Sequence, residues 1–186
     1  MFLICGLGNP GKEYIDTRHN VGFKLIDQLV DYYKFLPSKK DSKKETFKGN
    51  INENSCLLMK PLNFMNLSGP PIQEIINFYK IDKSKIFIIH DDLDLELGKV
   101  KVKFGGSTGG HNGLSSIDTI IGNEYYRVRI GIDHPGMKNL VSNYVLKKFN
   151  TEEMKIINNK LNKITQNFGY LLNNTSLFLT KLAEDK

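Results

Sequence analysis

Apolar residues recur along this chain with two spacings, one typical of strands and one typical of helices. Short apolar or alternating runs predict strands at residues 2–6, 47–52, 56–60, 86–90, 99–104 and 125–132. Apolar residues three and four positions apart predict helices near 20–35, 69–80, 113–121 and 151–169. Because strands alternate with helices, we predict one α/β domain over residues 1–186, with a twisted mixed β-sheet and helices on both faces.

Polar residues at the edges of the helical patterns predict where three helices begin. Asn20 precedes the first apolar repeat and is a candidate N-cap, and Ser68 precedes a pair of prolines. Thr151 is followed by two glutamates and opens the last long helix. The lysine-rich segment 37–46 is predicted to be a solvated loop.

A glycine-rich turn follows the first predicted strand and matches the dinucleotide-binding pattern G-x-G-x-x-G over residues 6–11. In that motif the third glycine lies inside a helix, and an acidic residue about 20 positions later ends the second strand. Residues 12–19 carry few apolar side chains, and position 31 falls inside the first predicted helix. The context therefore argues against a dinucleotide site.

Composition limits the class of protein without identifying it. The chain has 186 residues and a net charge of +6, which suits one globular domain and suggests a polyanionic partner such as a nucleic acid. Cys5 and Cys56 lie in apolar runs without metal-ligand spacing, so we expect core thiols in a reducing compartment. The start has no basic segment, and no apolar run approaches the roughly 18 residues of a membrane span. We expect a cytoplasmic protein.

Polar residues cluster in four segments that follow apolar strands, where an α/β fold places its site. The segments are residues 9–20, 63–66, 90–92 and 105–113. They supply histidines, a carboxylate and amide side chains, without a serine or cysteine in an elbow motif. This set favours direct attack by water, with histidine as general base, a carboxylate that holds its tautomer, and asparagine amides that stabilise an oxyanion.

Each histidine also has a plainer interpretation. His19, His90, His111 and His134 could each be a structural or a surface residue, and composition does not separate these alternatives. A metal site built from His90, Asp91 and His111 is a further alternative, but no H-x-x-x-H or C-x-x-C spacing supports it. We therefore predict no metal and no cofactor.

Two alternating basic runs flank the glycine-rich segment 105–113. Residues 99–104 place three lysines on one face of a strand, and Arg127 and Arg129 repeat the alternation. A solvated face would explain either run alone. Together they leave two interpretations open, solvation and contact with phosphate.

With these residues assembled, the chain resembles the bacterial-type peptidyl-tRNA hydrolases. Five motifs occur in the order found in that family: Gly6-Leu7-Gly8-Asn9-Pro10-Gly11 with Tyr14 and Thr17-Arg18-His19-Asn20, Phe64-Met65-Asn66-Leu67-Ser68-Gly69, His90-Asp91-Asp92-Leu93-Asp94, Gly109-Gly110-His111-Asn112-Gly113, and Arg129-Ile130-Gly131-Ile132 before His134-Pro135-Gly136. Five motifs in register are far more specific than one.

The resemblance implies an esterase that hydrolyses the bond between a peptide and the 3′ end of tRNA in peptidyl-tRNA that has left the ribosome, which recycles the tRNA. By position, His19 would activate water and Asp91 would hold its basic form. Asn9 would check that the amino group is blocked as a peptide. Asn66 and Asn112 would position the substrate carbonyl and ribose.

The same resemblance implies further substrate contacts. Tyr14 and Phe64 would contact the terminal nucleotide or the nascent residue, and Met65 and His111 would line the cleft. Lys103 would help to hold the 5′ phosphate of the tRNA.

Arg129 would complete that phosphate contact. Asp92 stands where the family often has glutamate, and the C-terminal third matches only in helical outline. We expect a monomer. The alternative is an inactive tRNA- or RNA-binding module of the same fold, but such a relic would be expected to lose the base or its partner, and His19 and Asp91 are both present.

Overall fold

Seven strands form one mixed sheet in the computed structural model of this chain, which describes residues 1–184. The strands are β1 Phe2–Gly6, β2 Leu36–Lys40, β3 Lys44–Ile51, β4 Asn54–Pro61, β5 Ile86–Asp92, β6 Val100–Phe104 and β7 Tyr126–Gly131. Their order across the sheet is β2-β3-β4-β1-β5-β7-β6. β4, β1, β5 and β7 are parallel, whereas β2, β3 and β6 run antiparallel to their neighbours.

Helices cover both faces of this sheet. They are α1 Val21–Tyr33, α2 Gly69–Tyr79, α3 Asn112–Ile121, α4 Val141–Val145, α5 Thr151–Asn173 and α6 Thr175–Ala183. Side chains alternate across a strand, so Ile4 joins a core cluster with α1 and α5. Its neighbours Leu3 and Cys5 join a second cluster with α2 and α3. The predicted α/β fold, with a mixed sheet and helices on both faces, is confirmed.

Three elements were missed by the sequence prediction. β2 covers most of the first half of the segment 37–46 that was predicted to be a loop, and all five of its residues are exposed. β3 also begins inside that segment, at Lys44. An edge strand needs one hydrogen-bonded neighbour but no buried face, so it carries no apolar alternation. α4 has only five residues, too few to show a helical period. α6 buries only Phe178 and Leu182, which is too weak a stripe to detect.

The predicted helix starts are correct in position but differ in chemistry. Asn20 precedes α1, yet its side chain accepts no hydrogen bond from the helix. The Ser68 hydroxyl donates to the Met65 carbonyl instead of capping α2. α5 begins at Thr151 as predicted, but the capping box is formed by Asn150 and Glu153. Among residues 1–184, no helix combines the length and apolar character that a bilayer-spanning segment needs.

Candidate active site

Two parallel strands at the centre of the sheet bring the predicted site residues together at their carboxyl ends. Asn9 follows β1, and Asp91 lies near the end of β5, its direct neighbour. A 3₁₀ turn over Arg18–Asn20 leads into α1. That helix packs against β1 through Gly6 and Gly22, where a Cβ on Gly6 would overlap the Gly22 carbonyl group. Gly6, the first glycine of the apparent dinucleotide motif, therefore lets α1 lie close to β1, and this places the turn Arg18–Asn20 at the carboxyl end of the strands.

His19 in that turn is bonded to Asp91. Its Nδ1 lies 2.9 Å from each carboxylate oxygen of Asp91. Both side chains are buried, with exposed fractions of 8% and 2%. An ionised carboxylate only accepts hydrogen bonds, so Nδ1 carries the proton and Nε2 keeps a free lone pair. This is the tautomer that a general base requires.

His111 is a second imidazole donor to the same carboxylate. Its Nδ1 accepts the backbone N–H groups of Gly113 at 3.1 Å and Leu114 at 3.3 Å, which caps α3. The proton is therefore on Nε2, which donates to Asp91 Oδ1 at 2.9 Å. The sequence interpretation made His111 a cleft-lining residue and missed this bond. Its position just before a helix was the one available signal.

The charges in this cluster set which groups hold protons. Burial favours the neutral form of Asp91, but the neighbouring His19 and His111 outweigh it and hold the pKa of Asp91 far below its usual range. Burial also disfavours imidazolium at His19. The charge of Asp91 and its hydrogen bond outweigh that effect and raise the pKa of His19 above its ordinary value of 6.5. Asp91 is thus ionised, and His19 is a stronger base than a free imidazole.

The two other histidines lie apart from this pair of bonds. His90 donates from Nδ1 to the Asp91 carbonyl oxygen at 2.7 Å, and burial together with the neighbouring His111 lowers the pKa of His90 to about 3. His90 is therefore neutral and supports the strand end. His134 is exposed, and its Nδ1 accepts the backbone N–H of Gly136.

Asn9 is held on both its side chain and its backbone. Its Oδ1 accepts the Met65 backbone N–H at 2.8 Å. Its own N–H and carbonyl oxygen are bonded to the Asn20 side chain. Because Oδ1 is occupied, Asn9 presents the donors of its Nδ2 group. The Met65 side chain is 4% exposed and packs in the second core cluster, so its backbone N–H is what serves the site.

The remaining predicted contacts on this side are exposed, except Tyr14, which is half-buried. Tyr14 and Phe64 lie edge to face with ring centroids 6.4 Å apart, and Phe64 is 55% exposed. Asn66 lies in the short turn Met65–Leu67, and Asn112 is the first residue of α3. Both amides are exposed and adjoin the residues bonded to Asn9 and Asp91.

A cavity of about 510 Å³ opens beside His19 and Asp91, between the end of β5, the glycine-rich loop and α4. Four cationic side chains line it, together with His134 and two further carboxylates, those of Asp92 and Asp94; the cations are Lys103, Arg127, Arg129 and Lys138. Arg129 Nε donates to Asp92 Oδ2 at 2.6 Å. The cavity thus joins the His19–Asp91 pair to a rim that carries both cations and carboxylates.

The two basic runs lie on paired strands but do not form one solvated face. β6 and β7 are antiparallel neighbours, with Lys101 opposite Arg129 and Lys103 opposite Arg127. Arg127 is 2% exposed and forms a bidentate bond to Asp118. A solvated face is therefore wrong for Arg127, because its charge is buried and paired with the carboxylate of Asp118.

Ligand atoms of His19, Asp91 and His111 lie within 4.8 Å of one another and could in principle hold a metal ion. His19 here takes the place that the sequence alternative gave to His90. A metal would have to displace the protons that both imidazoles donate to Asp91. The proton of His111 cannot move to Nδ1, which already faces two N–H donors. The bonding therefore favours a metal-free cluster.

Comparisons with known proteins find similar sequences and a similar fold. A family model described as peptidyl-tRNA hydrolase matches residues 3–185. A peptidyl-tRNA hydrolase of Rickettsia bellii (strain RML369-C) is 47% identical over 175 residues, covering 94% of this chain and 95% of that protein. One from Wolbachia pipientis wMel is 50% identical over 149 residues, 80% of this chain and 82% of that protein. The crystal structure of peptidyl-tRNA hydrolase from Acinetobacter baumannii superposes with a TM-score of 0.93 at 36% identity, covering 100% and 96% of the two chains.

Proposed function

Because this chain belongs to the peptidyl-tRNA hydrolase family, we propose that His19 and Asp91 activate the water of its reaction. The enzyme hydrolyses the ester bond that joins a peptide to tRNA, and it releases both. The observation that carries the assignment is the buried 2.9 Å bond between His19 Nδ1 and Asp91, which leaves Nε2 as a proton acceptor.

The proposed reaction needs no covalent intermediate with the enzyme. His19 Nε2 removes a proton from water while the oxygen attacks the ester carbonyl carbon. The tetrahedral intermediate then collapses, and the ribose oxygen leaves with the proton returned by the imidazolium. Asp91 stabilises that imidazolium by charge. A general base of this kind typically supplies a factor of about 10² to 10⁴, which suits an activated ester.

We also assign the check for a blocked amino group to Asn9. Its side-chain oxygen is bonded to Met65, so it offers N–H donors to a substrate. A peptide bond provides a carbonyl acceptor next to the ester, whereas the ammonium of a free aminoacyl group provides only donors. With an unblocked aminoacyl-tRNA, the ammonium donors would face the N–H donors of Asn9 and make no hydrogen bond. The exposed amides of Asn66 and Asn112 are proposed to bind the substrate carbonyl and the ribose.

Lys103 and Arg129 are the proposed contacts for the tRNA 5′ phosphate. Both line the cavity, and Asp92 engages only Nε of Arg129, which leaves its Nη groups for phosphate oxygens. Such contacts read charge and shape rather than base sequence, as an enzyme that accepts many tRNAs requires. Tyr14 and Phe64 offer ring faces to the terminal nucleotide or the nascent residue.

We propose that the enzyme works as a monomer in the cytoplasm. One chain supplies His19, Asp91 and Asn112 to the same cavity, and Asn9 is bonded to Asn20 in the turn that carries His19. The substrate is a product of translation, which places the reaction where ribosomes operate.

The test is hydrolysis of N-acetyl-aminoacyl-tRNA and of unblocked aminoacyl-tRNA, with and without EDTA. We expect the blocked substrate to be preferred and the chelator to have no effect. His19→Ala should lose about 10²- to 10⁴-fold in rate and still bind tRNA. Wild-type rates in that variant would remove the general-base role. Activity lost only in EDTA would support a metal at His19, Asp91 and His111, and hydrolysis of neither substrate would support an RNA-binding module.

A further inference from the structure

Asn20 is the residue next to the proposed base, and its side chain is bonded to the proposed substrate check. Oδ1 of Asn20 accepts the Asn9 backbone N–H at 2.8 Å, and Nδ2 donates to the Asn9 carbonyl oxygen at 2.9 Å. Asn20 is 2% exposed. The Thr17 hydroxyl lies 3.5 Å from Oδ1, but it donates its proton to the Tyr14 carbonyl oxygen at 2.8 Å, so the Asn20 amide is held by Asn9. This reciprocal pair fixes the orientation of the Asn20 amide and the backbone of Asn9 together.

The local sequence favours a different use of this side chain. Asn20 occupies the N-cap position of α1, where an asparagine oxygen ordinarily accepts an N–H from the first turn. It makes no such bond, and α1 begins without a side-chain cap. Both polar groups of Asn20 are instead committed to a residue 11 positions earlier in the chain. Asn20 therefore leaves α1 without a side-chain cap and bonds instead to the backbone of Asn9 in the loop after β1.

We propose that Asn20 is a positioning residue that sets Asn9 relative to His19 and thereby determines selectivity for blocked substrates. The inference rests on the proposed role of Asn9. Asn20 and His19 are adjacent in one 3₁₀ turn, so the base and the support of the check are placed by the same segment. Without Asn20, Asn9 keeps only its side-chain bond to Met65 and can pivot about it.

Loss of the Asn20 side chain should change the preference for blocked substrates more than it changes the activation of water by His19. The bond between His19 and Asp91 does not involve Asn20. A shift of Asn9 by about 1 Å misplaces a donor that must meet one substrate oxygen, and such misplacement can lower a rate by about 10²-fold. The unblocked substrate makes no use of that donor. Its rate should therefore fall less than that of the blocked substrate.

The decisive experiment uses Asn20→Ala in the full chain. The measured quantity is kcat/KM for N-acetyl-aminoacyl-tRNA divided by kcat/KM for the same aminoacyl-tRNA without the acetyl group. We expect this ratio to fall by about tenfold or more, with the acid limb of the pH profile unmoved. A ratio within twofold of the wild-type value would overturn the proposal, as would an equal fall for both substrates.

Thr46→Val is the matched control. Thr46 is also 2% exposed, and its hydroxyl also forms a reciprocal pair, with the backbone N–H and carbonyl oxygen of Lys39. That pair lies between β2 and β3, at the far edge of the sheet from the site. The control should lose stability and keep the ratio. A similar fall in the control would assign the effect to general loosening and would count against Asn20.

Two further variants separate the possible failures. Asn20→Asp keeps the acceptor for the Asn9 N–H but sets an oxygen against the Asn9 carbonyl, so it should lower the ratio too. It decides the question if Asn20→Ala does not fold. Asn9→Ala tests the premise: an unchanged ratio there refutes the proposed role of Asn9. A lowered ratio in Asn9→Ala with unchanged ratios in both Asn20 variants refutes only the positioning role.

Discussion

Replacing Asp91 by asparagine should disable His19 by reversing its tautomer. The wild-type carboxylate accepts two imidazole protons, one from His19 Nδ1 and one from His111 Nε2. An asparagine offers one acceptor and one NH₂ donor. The helix cap at α3 keeps the proton of His111 on Nε2, so His111 claims the amide oxygen. The NH₂ group then takes the place of Oδ2, which is 2.9 Å from His19 Nδ1, as Oδ1 also is. Its hydrogens oppose a proton on Nδ1 and favour the tautomer with the proton on Nε2.

The magnitude follows from what this reversal removes. The Nε2 lone pair that would accept a proton from water is lost, and so is the negative charge that raises the pKa of His19. General-base catalysis is typically worth about 10²- to 10⁴-fold. A carboxylate-to-amide change that leaves the wrong imidazole tautomer costs about 10⁴-fold in a serine protease. We therefore expect Asp91→Asn to lower kcat by about 10³- to 10⁴-fold.

The assay is single-turnover hydrolysis of N-acetyl-aminoacyl-tRNA, with tRNA binding measured in parallel. The informative comparison adds His111→Ala, which removes the competitor for the amide oxygen. The asparagine can then turn its oxygen to His19, so the double variant should be faster than Asp91→Asn alone by about tenfold. An Asp91→Asn enzyme within threefold of wild type, or a double variant slower than the single one, would refute this reasoning.

Two further predictions concern pH and salt. Catalysis needs neutral His19, whose pKa is raised, so kcat/KM should rise with pH through a limb centred above 6.5. The bond between His19 and Asp91 stabilises the fold with the opposite dependence on pH. Its contribution is fully present below the pKa that His19 has in the unfolded chain, and it is lost as pH rises through the higher pKa of His19 in the folded protein. A limb at or below 6.5 would contradict the bonding to Asp91. Lys103→Ala should weaken tRNA binding and make log K less steep against log salt by about 0.7 to 0.9. Lys101 lies on the same strand but does not line the cavity, so Lys101→Ala should change this salt dependence less. An equal change in both variants would indicate that Lys103 acts through the overall positive charge of the surface and not through a phosphate contact.

The fold class was readable from the chain because most strands and the longer helices leave an apolar run or a local period in the sequence. Leu3, Ile4 and Cys5 are all buried because successive residues of β1 point to opposite faces of the sheet and helices cover both faces. β2 escaped detection for the converse reason, since it buries no residue. Most residue types of the site were readable too, because three of the four polar segments follow the parallel strands β1, β4 and β5, whose carboxyl ends meet at one edge. The fourth segment, 105–113, follows the antiparallel strand β6, so its approach to the site was not readable in this way.

What the sequence determined by itself was the inventory: an α/β order, a base, a carboxylate and amides in strand-end loops. The tertiary structure decided the partners. It joined Asp91 to His19 across 72 positions, added His111 as a second donor, and used Asn20 to hold Asn9 instead of capping a helix. It also buried Arg127 against Asp118. Periodicity reports which face a residue occupies, but a hydrogen bond depends on where distant segments meet, and only packing of the whole sheet sets that.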